Sequence, residues 1–431
     1  MSQRLHREKI AQNVYFSQVT DPRYKTNRIS VNLMLPLKRE TASRNALLCA
    51  MLRKSGAEYR SFQELSARLS DLYGAYLDGD VLKIGENQGI SLFITAIDDR
   101  FALNKEAVTE ECARMLCSLL FAPNVKDGAF PEKEVAVEKQ VLIDQIEAEI
   151  NEKRGYAIMR CSKFMCENER FAIPRYGYAE DVPAITGKAL AEAYNEVISE
   201  AMVEVFFCGC GTPDGAREIF AKAFSSIRRE SNYQLTTEVR KDVAEVREFT
   251  EHMDVTQSKL VLGFRAGADV TDEHKSLAAF LAVTIYGATP TSKLFLNVRE
   301  RLSLCYYCAA RYDRYKGILM VDCGIEAVNQ QKAKEEILAQ LDELKRGGIS
   351  DDELTNAVLA IKNGYNAVFD STKSVETFYL GQIFAKTAYD PEEVIAQLEK
   401  LTVADLVQVA KGIKLDTVYF LTGSETEEVK A

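Results

Sequence analysis

Apolar and polar residues recur with two different periods along this chain, and the same succession of periods occurs twice. Between Thr186 and Gly211 a helix-capping threonine opens a stretch with Leu190 and Tyr194 on one side, and a short turn leads into the apolar run Met202-Val-Glu-Val-Phe-Phe207. Between Thr402 and Gly423 the order returns as Thr402, Leu406, Val409 and then Thr417-Val-Tyr-Phe-Leu-Thr422. The two threonines stand 216 positions apart (402 minus 186), half of a 431-residue chain. Self-similarity at a fixed offset is the mark of a duplicated unit.

Other segments fit the same duplication. Ser30 to Leu37 alternates as a strand, and so does Ser258 to Arg265. Pro131 to Ile150 predicts a long helix with proline in its first turn, and its counterpart opens at Ser350 with Glu353 three residues later, a capping box. Ser61 with Glu64 caps a helix whose apolar side is Phe62, Leu65, Leu69 and Leu72. Gly89 to Ile97 alternates as a strand, and Lys332 to Arg346 is a helix with Ile337, Leu341 and Leu344 inward, stopped by Gly347-Gly348. Helices interleave with strands in both halves, which predicts an α+β fold, an α/β sandwich of two homologous domains, each a mostly antiparallel sheet covered by helices. The expected bounds are residues 1–227 for the first domain, a polar linker at 228–250, and 251–431 for the second.

Length and composition agree with two cores of about 200 residues each. Apolar residues make up 47% of the chain, enough to fill them. The formal charge of -10 is spread rather than bunched, so no basic stripe offers itself to nucleic acid. No run of about 20 apolar residues spans a membrane, and Met1 to Ile10 is too polar for a signal peptide. The ten cysteines then read as reduced, buried thiols of a cytoplasmic protein. Cys305 and Cys308, three apart in a strand, are expected to face opposite ways. Cys208 and Cys210 share a face, but two thiols alone make a poor zinc site.

The most specific succession lies in the second half: Gln257-Ser258-Lys259-Leu260-Val261-Leu262-Gly263-Phe264, then Ser292-Lys293-Leu294-Phe295, Arg299-Glu300, Leu304, Tyr306, Gly317, and Gly348-Ile-Ser-Asp-Asp-Glu-Leu354. In the first half, Leu47-Leu48 to Gly56, Ser61 to Leu72, Tyr73-Gly74, and Arg175-Tyr-Gly177 to Leu190 complete it. This order resembles the pitrilysin/insulinase-type metallopeptidases, the superfamily that includes the mitochondrial processing peptidases, over residues 25 to 425 or so. The resemblance implies that each chain supplies half of a clam-shell chamber.

Active members of that superfamily carry His-x-x-Glu-His on the first helix, two imidazoles one turn apart on one zinc ion with the glutamate as general base, and a later glutamate as a further ligand. Anchored on Gly56, those positions fall here on Leu47, Ala50 and Met51; one register earlier they fall on Ala46, Cys49 and Ala50. The later glutamate aligns with Gln145, beside Asp144. Neither register offers an imidazole or a carboxylate, and the three histidines, His6, His252 and His274, lie elsewhere. No metal or other cofactor is expected in this chain, and zinc is expected in a partner.

The resemblance also implies that an arginine and a tyrosine seven apart hold the substrate backbone; Arg299 and Tyr306 have that spacing, with Arg301 and Tyr307 as second choices. A peptide strand is further expected to add to a sheet edge near Gly89 to Ile97. The reading that follows is a noncatalytic subunit that binds peptide for a homologous zinc-bearing subunit, as a hetero- or homodimer without nucleic acid or membrane. The alternative is a scaffolding protein that kept the fold and has no part in proteolysis. A different enzyme reusing the fold finds no support, since no phosphate loop, nucleophile elbow or Cys/His pair is present.

Overall fold

The computed structural model of the chain describes residues 4–423. Its first half runs β1 (His6–Ala11), β2 (Val14–Thr20), β3 (Thr26–Pro36), α1 (Ala42–Leu52), α2 (Phe62–Asp71), β4 (Tyr76–Ile84), β5 (Asn87–Ile97), α3 (Val108–Phe121), α4 (Glu132–Ala148), α5 (Lys153–Met165), α6 (Gly187–Glu200), β6 (Met202–Gly209) and α7 (Asp214–Ser225). The second half runs β7 (Arg247–His252), β8 (Ser258–Arg265), α8 (Glu273–Val283), β9 (Cys305–Asp313), β10 (Ile318–Ile325), α9 (Gln330–Lys345), α10 (Asp351–Asn366), α11 (Thr372–Phe384), α12 (Pro391–Leu398), α13 (Val403–Lys411) and β11 (Lys414–Thr422).

The strands form two sheets, ordered β1-β2-β6-β3-β5-β4 and β7-β11-β8-β10-β9. Setting β1 aside, they correspond strand for strand. Each has one parallel pairing, β2 with β6 and β7 with β11, and the remaining neighbours are antiparallel. The duplication and the α+β sheet-and-helix architecture read from the sequence are thus the architecture of the molecule.

Two compact units contain these sheets, and neither is one continuous stretch. The first comprises the chain up to Glu147, Ile173–Thr236 and Val368–Asp390; the second comprises Ala148–Ala172, Thr237–Ala367 and the chain from Pro391 onward. The first unit therefore takes α11 from the later half of the sequence, and the second takes α5 from the earlier half. The segment 228–245 has no regular structure, yet Arg229, Ser231 and Leu235 are buried, and the Arg229 guanidinium donates to the carbonyls of Ile198 and Ala201. The change of unit falls between Thr236 and Thr237.

The helices taken from the other half explain why the inner strands are not half-exposed. In β3 the side chains of Ile29, Val31 and Leu33 enter an apolar core with α1, α3 and α6. Arg28 and Ser30 point the other way, where Glu376 of α11 accepts from both. Both faces are covered, so β3 and β5 are buried along nearly their whole length instead of alternating. In the second unit α5 lies against β8, β10 and β11 through Ala157, Cys161 and Met165. Buried charges are paired there: Arg265 binds Glu169 at 2.7 Å and Asp416 at 2.9 Å, and Lys316 binds Glu169 at 2.6 Å. A buried charge without such a partner would cost several kcal/mol.

Local signals placed the helix starts well. Ser61, Thr186, Ser350 and Thr402 each accept the expected backbone N–H, with full capping boxes at Ser350 and Thr402. Ile337, Leu341 and Leu344 are buried as expected, and Gly347 takes the left-handed conformation that ends α9. Phe62 differs from expectation. At the first position of α2 it is 58% exposed, outside the core that Leu65 and Leu72 enter, with the Lys54 ammonium 5.0 Å from its ring centre.

Candidate functional site

In the first unit α1 and α4 meet the outer strand β4 around a cavity of about 120 Å³. From α1 come Ala46, Cys49, Ala50 and Arg53, a spacing of three, four and seven that puts them on one helical stripe. From α4 come Glu138, Val141, Leu142 and Gln145, and from β4 come Gly79, Asp80 and Val81. Leu47 and Met51 are turned away from it into the apolar core. The earlier of the two registers, Ala46, Cys49 and Ala50, is thus the one that shares a wall with Gln145.

The groups on this wall are poorly suited to a divalent cation. Cys49 is buried against β4, and burial pushes its thiol up to about 12. It stays protonated at neutral pH and donates to the Asp80 carbonyl at 3.5 Å, whereas metals bind the thiolate. The strand comes this close because residue 79 is glycine: a Cβ there would stand 3.1 Å from the Cys49 sulfur and 2.9 Å from Leu92. Glu138 is the buried carboxylate of the site, 3% exposed, and its counter-charge is an ammonium: Lys54 Nζ lies 3.2 Å from Oε1. Glu138 Oε2 has no partner among the described residues. Arg53 is held by Asp78. Among the described residues no cluster of three or more His, Cys, Asp or Glu side chains could hold a metal ion.

The edge strands of this sheet are β1 and β4. Gly89 to Ile97 lies within β5, which pairs β3 on one side and β4 on the other and so offers no free edge. A peptide strand added to this sheet on the side of β5 would pair with β4, whose Gly79 and Asp80 also line the cavity.

In the second unit Arg299 sits near the end of a π-helical segment, Phe295–Arg301, which packs on β9. The wider turn shows in the bond from the Leu302 N–H to the Asn297 carbonyl, five residues back. The Arg299 guanidinium is 39% exposed, 4.5 Å from the Phe295 ring centre and 3.5 Å from the Glu300 carboxylate. Tyr306, near the start of β9, is 65% exposed, and its hydroxyl takes no hydrogen bond among the described residues. The second choices are already engaged: Arg301 pairs with Glu336 at 3.0 Å, and the Tyr307 ring lies under the Arg154 guanidinium at 4.2 Å.

A β-bulge separates the two tyrosines. Ile325 of β10 pairs with Cys305 and Gly324 with Tyr307, so Tyr306 is the extra residue. Gly324 admits the Tyr307 ring, since a Cβ there would stand 2.6 Å from it. The bulge also corrects the expectation for Cys305 and Cys308. They oppose Ile325 and Cys323, two residues apart on β10, and therefore lie on one face, both buried.

Comparison with known proteins agrees with this geometry. Residues 184–361 match the family described as "Peptidase M16 inactive domain". A Bacillus subtilis (strain 168) protein named "Probable inactive metalloprotease YmfF" is 28% identical over 408 residues, covering 94% of this chain and 95% of that protein. A crystal structure of a conserved protein from Enterococcus faecalis V583 superposes with a TM-score of 0.87 at 26% identity, covering 98% of this chain and 99% of that one. The structure of a peptidase M16 inactive domain from Pseudomonas fluorescens shares the fold, with a TM-score of 0.79 at 15% identity over 97% of this chain and 98% of that one. The resemblance read from the sequence is thus matched by a peptidase M16 inactive-domain model over residues 184–361 and, over nearly the whole chain, by a relative named as a probable inactive metalloprotease.

Proposed function

We propose that this chain is the noncatalytic member of a two-chain zinc peptidase, binding peptide so that a homologous zinc-bearing partner can cut it. The observation that carries this reading is the cavity wall of α1, where Ala46, Cys49 and Ala50 occupy the stripe that faces Gln145. Without imidazoles there is nothing to hold zinc, and without zinc no bound water is brought to a pKa near 7.

What the second unit retains suits a binding role. Arg299 and Tyr306 are exposed donors, and a peptide backbone is a row of carbonyl acceptors. Out of water, a charge-assisted donor aimed at the scissile carbonyl would also stabilise the oxyanion formed by the partner's chemistry. The unpaired edge of β4 could hold an extended peptide by main-chain bonds with little regard for its sequence.

The test is reconstitution. Mixed with a zinc-bearing homologue, this chain should raise peptide turnover, and Arg299→Ala and Tyr306→Phe should each lower it. If the pair turns over peptide equally well with either variant, these residues have no substrate-holding role and the scaffolding reading replaces this one.

A further inference from the structure

The cavity of the first unit lacks the groups that hold zinc, yet it keeps a buried acceptor. Glu138 stands on its wall, 3% exposed, and its carboxylate is answered on one side: Lys54 lies 3.2 Å from Oε1, while Oε2 is buried without a partner among the described residues. A buried acceptor is costly to leave unsatisfied, so a donor brought in from outside the chain binds there at an advantage.

The charges around this acceptor favour a cation. Asp78, Asp80 and Glu138 make three carboxylates against two cations, and both cations are engaged: Arg53 pairs with Asp78, and Lys54 with Glu138. The third carboxylate, Asp80, is exposed, and its Oδ1 accepts the Val81 N–H at 2.8 Å.

The rest of the surroundings is apolar. Ala46, Ala50, Val141 and Leu142 line the wall. Val141 and Val137, one turn apart on α4, are 44% and 60% exposed, and Phe62 and Tyr76 are exposed as well. The Phe62 ring lies beside the Lys54 ammonium, and the Tyr76 hydroxyl donates to Asp78 at 2.8 Å, so each sits next to an ion pair of the cavity. Large apolar side chains left in solvent about one small cavity mark a contact surface. At about 120 Å³ the cavity has room for about four waters at about 30 Å³ each, or for the end of one long side chain. An apolar stem that ends in a cation matches both the wall and the acceptor.

We propose that this cavity is a subsite for a lysine side chain of the bound peptide, whose ammonium donates to Glu138 while its methylenes lie along Ala50 and Val141. The proposal rests on the peptide-binding reading and adds to it the residue that the peptide must carry. A peptide paired with the β4 edge turns every second side chain to the face on which a Cβ at Gly79 would meet Cys49 of α1. Gly79 and Asp80 belong both to that edge strand and to the cavity wall.

The test measures binding by the full-length chain alone. N-acetylated, fluorescein-labelled peptides, identical except for one central lysine or norleucine, are titrated by fluorescence polarisation; norleucine keeps a four-carbon stem and lacks the ammonium. The lysine peptide should bind about tenfold or more tightly, as a charge-assisted hydrogen bond contributes. A chain of net charge -10 attracts any basic peptide, so the preference should also disappear in Glu138→Gln and in Ala50→Leu, the second of which fills the cavity and leaves every charge in place. Independently of any peptide, n-butylammonium should show saturation transfer from the protein that n-butanol does not, and Ala50→Leu should abolish it. Peptides that bind without preference, or a preference that survives both variants, would overturn the subsite and leave the peptide-binding reading standing. Butylammonium held in the cavity with no peptide bound would uphold the ammonium site and overturn the peptide-binding reading; no binding of either would overturn both.

Discussion

The stripe of α1 around Cys49 in the first unit and the start of β9 around Tyr306 in the second are both places where the superfamily resemblance leads one to look for function, and they have been filled in opposite ways. Around α1 the groups are apolar, turned inward or paired to a neighbour: alanines on the wall, a protonated thiol bonded to a carbonyl, and a buried carboxylate with one oxygen facing a lysine. Around β9 the polar groups are exposed: Arg299 rests on an aromatic ring, the Tyr306 hydroxyl has no partner among the described residues, and a bulge leaves Tyr306 out of the strand pairing. A site that has lost its chemistry can be absorbed into the packing of the protein. A site that still meets a ligand has to leave donors unspent.

The largest effects are expected on α1. Leu47→Ala should destabilise the protein by about 2–5 kcal/mol, because Leu47 is fully buried in the core and its truncation leaves a void. Ala50→His, on the cavity wall, should cost far less. Urea denaturation of the two variants decides the matter; equal losses would mean that α1 is rotated from the orientation described. Next in size, Lys54→Met should cost about 1–3 kcal/mol by stranding the Glu138 carboxylate. Adding Glu138→Gln should recover much of that loss in a double-mutant cycle, and no recovery would remove the ammonium from its role as counter-charge.

Arg299→Ala and Tyr306→Phe should leave stability within about 0.5 kcal/mol, as exposed positions do. In the reconstituted pair Arg299→Ala should lower turnover about tenfold or more, since a charge-assisted hydrogen bond contributes about 1.5–3 kcal/mol. A large stability loss with unchanged turnover would reverse the assignment. The smallest effect concerns Asp78 beside the cavity. Burial pushes its carboxyl up, but hydrogen bonds from Tyr76, the Gly79 N–H and Arg53 outweigh that and hold it below the ordinary 3.8. A carboxyl depressed in the folded state stabilises the protein above its unfolded pKa, and that contribution fades as pH falls through the folded value. The stability gap between wild type and Arg53→Met should therefore be present at neutral pH and narrow as the pH drops below 3.8; a gap that stays constant with pH would locate the effect elsewhere.

Much of the architecture was legible because it is written locally. Caps at Ser61, Thr186, Ser350 and Thr402, the glycine stop at Gly347, and the strands Ser258–Arg265, matching Ser30 to Leu37, and Thr417 to Thr422, matching Met202 to Phe207, are short-range signals, and their repetition revealed the duplication. The exchange of α5 and α11 was not legible, because nothing within a helix says which distant sheet it will cover. The edge strand was missed because Tyr76–Ile84 carries Asp78, Gly79 and Asp80, which read as a turn. The register of α1 stayed open because nearly every residue of that helix is buried, so no polar face betrays its rotation. Arg299 and Tyr306 could be named only by spacing; the bulge that distinguishes Tyr306 from Tyr307 depends on pairing with β10, which a single strand does not encode.

Zinc content measured on the purified chain alone decides whether the residues of α1 can hold the metal and generate its hydroxide. After equilibrium dialysis against zinc, with peptide hydrolysis assayed on the same sample, no stoichiometric metal should be bound in the α1 cavity and no hydrolysis should occur. One zinc ion per chain together with peptide cleavage that a chelator abolishes would contradict this expectation.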